Sequence, residues 1–301
     1  MSDARTTRAT LLVLFSACCF GSISTFTTLA TRTGVRLVDV LAWRYLIAAV
    51  LLIAVAGGVR AVVQPGRHAV RVVVLAGAGQ AGIAFVSLSA LRYIPVATLT
   101  FLFYTYPAWV AVIAAARGTE RLTTRRVVAL LLSLVGIALM VGTPGTGGLH
   151  PLGVLLALSS ALLYAAYIPM IDYLGRGMAP AQTSTYASAG AALILGGVAM
   201  AQGGLAIHMA PIAWTSIVLL AVVSTVLAFL AFLRGLAVIG PVRTAIVSTI
   251  EPFWTALLGS VVLAQMLGPR TLAGGVSIAA AVVLLQIGPG KSTVESRQFE
   301  L

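Results

Sequence analysis

Runs of about twenty consecutive apolar residues recur along almost the whole of this 301-residue chain. A helix of about that length rises about 30 Å, the thickness of the hydrocarbon core of a bilayer. Ten runs can be read, at roughly 10–31, 37–57, 69–91, 95–116, 124–142, 151–172, 180–201, 211–233, 241–264 and 269–288. Each is continuously apolar, whereas strands of a membrane barrel alternate apolar and polar residues over about ten positions. Helices that satisfy their own backbone hydrogen bonds are therefore the expected spans. The fold class expected is an all-α integral membrane protein with ten transmembrane helices.

Charge supports that reading. Only 9% of the residues are charged, against about 25% in soluble domains, too few to clothe a water-facing surface. The formal net charge of +12 could signal nucleic acid, but the basic residues are scattered in short clusters between apolar runs. Such clusters orient spans and touch anionic lipid headgroups, so membrane lipid is the expected partner and nucleic acid is not. If the N-terminus lies inside, fourteen of the nineteen Lys and Arg fall in cytoplasmic segments and four outside, with Arg44 inside a span. Basic residues favour the cytoplasmic side, which predicts both termini in the cytoplasm. Near-absent Lys beside many Arg suggests a GC-rich bacterial genome and hence a bacterial inner membrane as the location.

The chain also repeats itself. Leu91-Arg92 matches Leu233-Arg234, and Pro95-Val96-Ala97-Thr98 matches Pro241-Val242-Arg243-Thr244. Pro107-Ala108-Trp109-Val110-Ala111 matches Pro252-Phe253-Trp254-Thr255-Ala256, and Leu122 with Arg125 matches Leu267 with Arg270. The Pro, Trp and Arg agreements carry weight where Leu and Ala do not. Five spans is an odd number, so the second half enters the membrane from the opposite side, and basic residues agree with that inversion in three of four equivalent loops. Inverted repeats of this kind recur in secondary transporters, with the substrate near the midplane where the halves meet.

These features resemble the EamA family of ten-span carriers within the drug/metabolite transporter superfamily. The resemblance rests on Trp43-Arg44-Tyr45, Ala90-Leu91-Arg92-Tyr93, Tyr106-Pro107, Glu120-Arg121-Leu122-Thr123 and Val135-Gly136 in the first half. In the second it rests on Leu233-Arg234, Ile250-Glu251-Pro252 and the Gly274-Gly275 region. The chain departs from the family at Gln265, where a Glu is common. The resemblance implies a first EamA-like five-helix repeat over 10–142 and a second over 151–288. Around them lie a cytoplasmic N-terminal tail over 1–9, a linker over 143–150 and a cytoplasmic C-terminal tail over 289–301. It implies export of an amino acid, a related metabolite or a toxic analogue by alternating access, without saying which.

Ionisable groups inside a span are costly and are functional candidates by default. Arg44 and Glu251 both fall near mid-depth. Glu251 reads as a proton-coupling or amine-binding carboxylate, since burial disfavours the charged form of a carboxyl. Arg44 reads as the site of a substrate carboxylate or as the group that holds Glu251 ionised. A fixed polar clamp on broken-helix backbone is the structural alternative for both.

Pro107 and Pro252 fall mid-span and predict kinks, suited either to a rocking motion or to static packing. Around them gather Tyr104, Tyr106, Trp109, Ser248 and Trp254. Tyr164 and Tyr167 share a helix face, and Gln80 and Ser224 add polar groups from other spans. Such residues suit a site for an amphipathic metabolite, although Ser and Thr also serve as helix-packing glue and Tyr and Trp as interfacial anchors.

His68, His150 and His208 lie in loops, and no spacing suits a metal. The phosphate-binding Gly-rich loop of ATP-driven proteins is missing from the sequence, so no cofactor is expected and protons are the expected coupling ion. A channel, a lipid-associated carrier or a membrane-embedded enzyme are the competing classes. Enzymatic activity is not expected, because clustered intramembrane His, Asp or Cys are missing.

Overall fold

The computed structural model describes residues 2–62, 67–90, 92–94, 96–119, 122–141, 150–263 and 268–286, and among them every regular element is helical. The first half comprises α1 (Ser2–Gly21), α2 (Ile23–Thr31), α3 (Leu37–Val55), the single turn α4 (Val59–Val62), α5 (Arg67–Ala90), α6 (Val96–Phe103), α7 (Tyr106–Ala116) and α8 (Thr124–Val141). The second comprises α9 (Pro151–Leu174), α10 (Pro180–Ala201), α11 (Pro211–Ala221), a π-helical stretch at Val222–Leu227, α12 (Ala228–Val247), a 3-10 turn at Ser248–Ile250, α13 (Glu251–Leu263) and α14 (Pro269–Gln286). Proline opens α9, α10 and α11, where its missing N–H is no loss and its fixed φ suits a first turn.

Among the described residues, six helical stretches are long and apolar enough to cross a membrane: Ala4–Thr31, Leu37–Val55, His68–Ser87, Pro151–Leu174, Pro180–Ala201 and Pro211–Val262. Tyr106–Ala116 and Pro269–Leu285 are apolar but shorter. The outward surface carries Phe85, Leu193, Val261 and Val276, each more than 70% exposed. Water would not tolerate so broad an apolar surface; lipid does.

Two segments differ from the sequence reading. Residues 2–9, expected as a tail, are helical and run on into the first span as part of α1. The turn expected between the eighth and ninth runs, over 234–240, is also helical and breaks at one residue only. Gly240 takes φ 76°, a left-handed conformation that costs a glycine little, and Pro241 restarts the helix. The linker over 143–149, Gln265 and the tail from 289 lie outside the described residues.

The helices pair across the halves in a pattern that survives exchanging one half for the other. α3 packs on α10, and α8 packs on α14, each on its own counterpart. α1 packs on α12, and α9, the counterpart of α1, packs on α5. The α3 and α10 pair is antiparallel. Arg36 at the start of α3 bonds the carbonyl of Gln202 at the end of α10, and Gln182 at the start of α10 bonds the carbonyl of Ala61 beyond the end of α3. α8 and α14 cross at Gly136 and Gly274, where a Cβ added to Gly136 would lie 2.7 Å from the Gly274 carbonyl oxygen. Small residues let backbones meet this closely where no hydrophobic force drives helices together.

Candidate functional site

The site forms where the broken helices of the two halves meet. In the first half the helix breaks at Tyr104 and Thr105, with Pro107 in the first turn of α7. In the second it breaks at the 3-10 turn Ser248–Ile250, with Pro252 next to Glu251 at the start of α13. Each proline thus stands where a helix restarts after a break. They also place Tyr106 and Glu251 at equivalent positions of the two repeats.

The breaks reach for each other. The Tyr106 hydroxyl donates to the carbonyl of Ala245 at 3.4 Å and lies in hydrogen-bonding contact with Ser248. Tyr104, from the same break, lies beside the Glu251 carboxyl. Both tyrosines of the first break thus reach into the break of the second half.

Around this junction lies an aromatic array. Phe103 stacks on Tyr164 with ring centroids 5.4 Å apart, Tyr106 meets Tyr164 edge-on at 4.7 Å, and Tyr164 stacks on Tyr167 at 6.4 Å. Tyr164 and Tyr167 come from α9, the others from α6, α7 and the turn between them. Offset and edge-on ring pairs are favourable beyond the area they bury, so the array is held in a fixed shape.

A hydrogen-bonded chain leads from the array to Arg44. Gln80 of α5 donates through Nε2 to the Tyr167 hydroxyl at 3.2 Å, and the Tyr45 hydroxyl donates to Gln80 Oε1 at 3.2 Å. The Arg44 guanidinium carbon lies 4.9 Å from the Tyr45 ring centroid, a cation–π distance. Arg44 is 4% exposed. Its Nε donates to Thr225 Oγ1 at 2.7 Å and its Nη2 to the Ser224 carbonyl at 3.0 Å.

Both acceptors belong to the π-helical stretch between α11 and α12. There the Thr225 hydroxyl donates to the Leu220 carbonyl at 2.9 Å while accepting from Arg44. The shifted register of a π-helical segment, a feature common at functional sites, turns these acceptors toward the arginine. The Ser224 hydroxyl also meets the Ser22 hydroxyl at 2.9 Å at the α1–α2 break.

Arg44 and Glu251 do not form a direct ion pair. Among the described residues the ion pairs are Arg36–Asp39 and Arg176–Asp172. The site therefore holds one buried cation with neutral partners and one carboxyl held by a tyrosine. Two sequence candidates lie elsewhere. Trp109 is 38% exposed on α7, and Trp254 packs on Gly21 at the α1–α2 junction.

Thr225, next to Ser224 in the same span, reads from sequence as a polar lining group of the same kind. Sequence reasoning missed Tyr45 and Asp39 as contributors. Tyr45 adjoins a motif already noted, so a helical-wheel reading of the second span offered some signal for it. Asp39, fully buried, gave none, because it sits near a span end where solvation is the ordinary fate of a carboxylate.

The described architecture, helices paired antiparallel across two halves with broken helices meeting at buried polar groups, defines an integral membrane protein of the solute-transport class. Residues 7–142 and 151–287 each match the model of the EamA-like transporter family, and this chain belongs to that family, within the drug/metabolite transporter superfamily. A curated relative, the riboflavin transporter of Brucella anthropi, is 32% identical over 160 residues, covering 52% of this chain and 54% of that protein. The chain thus spans about half the length of the curated relative it matches. A crystal structure of a protein 20% identical covers 98% of this chain and 99% of that chain with a TM-score of 0.79, which establishes the shared fold.

Proposed function

We propose that this protein is a secondary carrier that exports a small metabolite by alternating access. In this reading ten spans form two inverted five-span repeats, with both termini in the cytoplasm of a bacterium. The carrying observation is that Arg44, buried, and Glu251, half-buried, lie unpaired with each other around the junction of the two broken helices. A buried charge without a counter-charge is expensive, and a solute that supplies the missing partner lowers that cost. An amino-acid-like zwitterion does so twice, with its carboxylate at Arg44 and its ammonium at Glu251. Antiparallel pairing of α3 with α10, and the distribution of basic residues, support the inverted arrangement.

A second reading concerns the solute alone. The stacked Phe103, Tyr164 and Tyr167 rings favour a planar heteroaromatic metabolite, and the name of the Brucella relative points to a flavin. Glu251 carries the coupling proton in either case.

The test is counterflow in sealed proteoliposomes loaded with candidate amino acids, their toxic analogues or riboflavin. A carrier shows saturable exchange that an imposed pH gradient drives uphill. Unsaturable flux without exchange marks a channel and overturns the proposal.

A further inference from the structure

Beyond the central site, α3 and α10 hold each other at both ends through two matched sets of hydrogen bonds. At the start of α3, Arg36 pairs with Asp39 through Nε at 2.7 Å and Nη2 at 2.8 Å. Arg36 also donates to the carbonyls of Gln202, at 2.7 Å, and of Gly204. Asp39 accepts from the Ala206 N–H at 3.5 Å, and Trp43 Nε1 donates to the Ala206 carbonyl at 2.8 Å. All three side chains thus grip the segment that follows α10.

At the start of α10 the same positions do the same work in neutral form. Gln182, the counterpart of Asp39, donates to the Ala61 carbonyl at 2.6 Å and accepts from the Ala179 N–H at 3.0 Å. Tyr186, the counterpart of Trp43, donates to the Val62 carbonyl at 2.5 Å. Both grip the segment that follows α3. The two helices run antiparallel, so the two grips lie at opposite ends of the pair, with Arg44 of α3 between them along that helix.

We propose that these grips are the two gates of the transport cycle: an ionic latch of Arg36, Asp39 and Trp43 on residues 202–206, and a neutral latch of Gln182 and Tyr186 on residues 61–62. This rests on the carrier reading above. Each latch ties a helix of one half to the segment that follows its partner helix in the other, so rocking of one half against the other must break one latch while the opposite one stays closed. The latches differ in strength. Charge-assisted bonds are about twice as strong as neutral ones, and the Asp39 hydrogen bonds push the pKa of the Arg36 guanidinium further up, keeping it charged. The α10-start end therefore opens more readily than the α3-start end. With the orientation given by the basic residues the resting carrier opens toward the cytoplasm, which suits a protein that loads its cargo there.

The experiment follows labelling and needs no known substrate. Cys18 and Cys19 are replaced by serine, and Tyr164→Cys serves as a reporter in the aromatic array. A membrane-impermeant methanethiosulfonate reagent is applied to right-side-out and to inverted vesicles. Asp39→Asn with Trp43→Phe is expected to raise the labelling rate about fivefold or more from one side only, the scale of losing about 1 kcal/mol of hydrogen bonding. Gln182→Leu with Tyr186→Phe is expected to raise it from the other side only.

To separate loosening from misfolding, the second arm tightens the latches instead. Arg36→Cys with Gln202→Cys, and separately Ala61→Cys with Gln182→Cys, are oxidised to disulfides in the same background. Each bridge is expected to block labelling from its own side, and reduction to restore it. Equal changes from both sides, or bridges without effect, overturn the gate assignment. Side-specific labelling combined with no counterflow of any solute leaves the gates standing and refutes the carrier reading instead.

Discussion

Arg44 of α3 and Glu251 of α13 stand on the same buried network from opposite halves of the chain, yet each is held by a neutral partner rather than by the other. Arg44 is fixed by Thr225 and the Ser224 carbonyl, Glu251 by the Tyr104 hydroxyl. A direct ion pair would quench both charges; in the carrier reading proposed above, this arrangement keeps each available to a solute or a proton.

Glu251→Gln keeps the shape and the hydrogen-bonding capacity of the side chain and removes only the exchangeable proton. The variant is expected to fold, with a detergent-solubilised melting temperature close to that of the parent. It is expected to lose pH-gradient-driven transport while retaining solute exchange. Reconstituted transport with and without an imposed gradient checks this, and full gradient-driven activity in the variant would remove Glu251 from the coupling role.

Arg44→Lys retains the charge but not the fork that meets Thr225 and the Ser224 carbonyl together. A hydrogen bond to a charged group is worth about 1.5–3 kcal/mol, so transport is expected to fall by about tenfold or more. Thr225→Val, which leaves the arginine intact and removes one acceptor, is expected to give a smaller loss in the same direction. Initial rates at matched expression decide the order.

Tyr104→Phe deletes the hydroxyl that meets Glu251 while preserving the ring. Loss of one such bond, at about 0.5–1.5 kcal/mol, predicts a fall in transport of about 2- to 10-fold and an altered pH dependence. Trp109→Phe serves as a comparison: that side chain is 38% exposed, and the change is expected to leave the pH profile alone. Equal effects of the two substitutions would count against the Tyr104–Glu251 contact as part of the site.

Gly136 and Gly274 let α8 and α14 touch backbone to backbone. Gly274→Leu forces the pair apart, an overpacking cost of about 1–3 kcal/mol. A lowered thermal-aggregation temperature in detergent is expected, whereas Gly268→Ala, at a position with open space around its added Cβ, is expected to leave it unchanged.

Much of the scaffold was readable along the chain. The apolar runs at 37–57 and 180–201 correspond to α3 and α10 because a membrane helix must satisfy its own backbone and present apolar residues all round, a demand written into consecutive positions. The breaks at Pro107 and Pro252 were equally legible, since proline interrupts a helix wherever it stands in the middle. The continuity of α12 through 234–239 was not, because a single left-handed glycine can do the work of a loop, and Gly240 looks like any other glycine in sequence.

Local pattern and solvent thus determined the helical, lipid-embedded class of this protein, its two-part repeat and the two ionisable groups near mid-depth. Only tertiary structure decided that Arg44 rests on a π-helical stretch more than 170 residues away, that Tyr104 rather than Arg44 holds Glu251, and that Asp39 is buried in a latch. Those outcomes depend on which helices become neighbours, and in a membrane, where nearly every helix surface is apolar, the contacts that select neighbours are a few polar side chains and close glycine approaches. Their partners lie in the other half of the chain, beyond the reach of any local pattern.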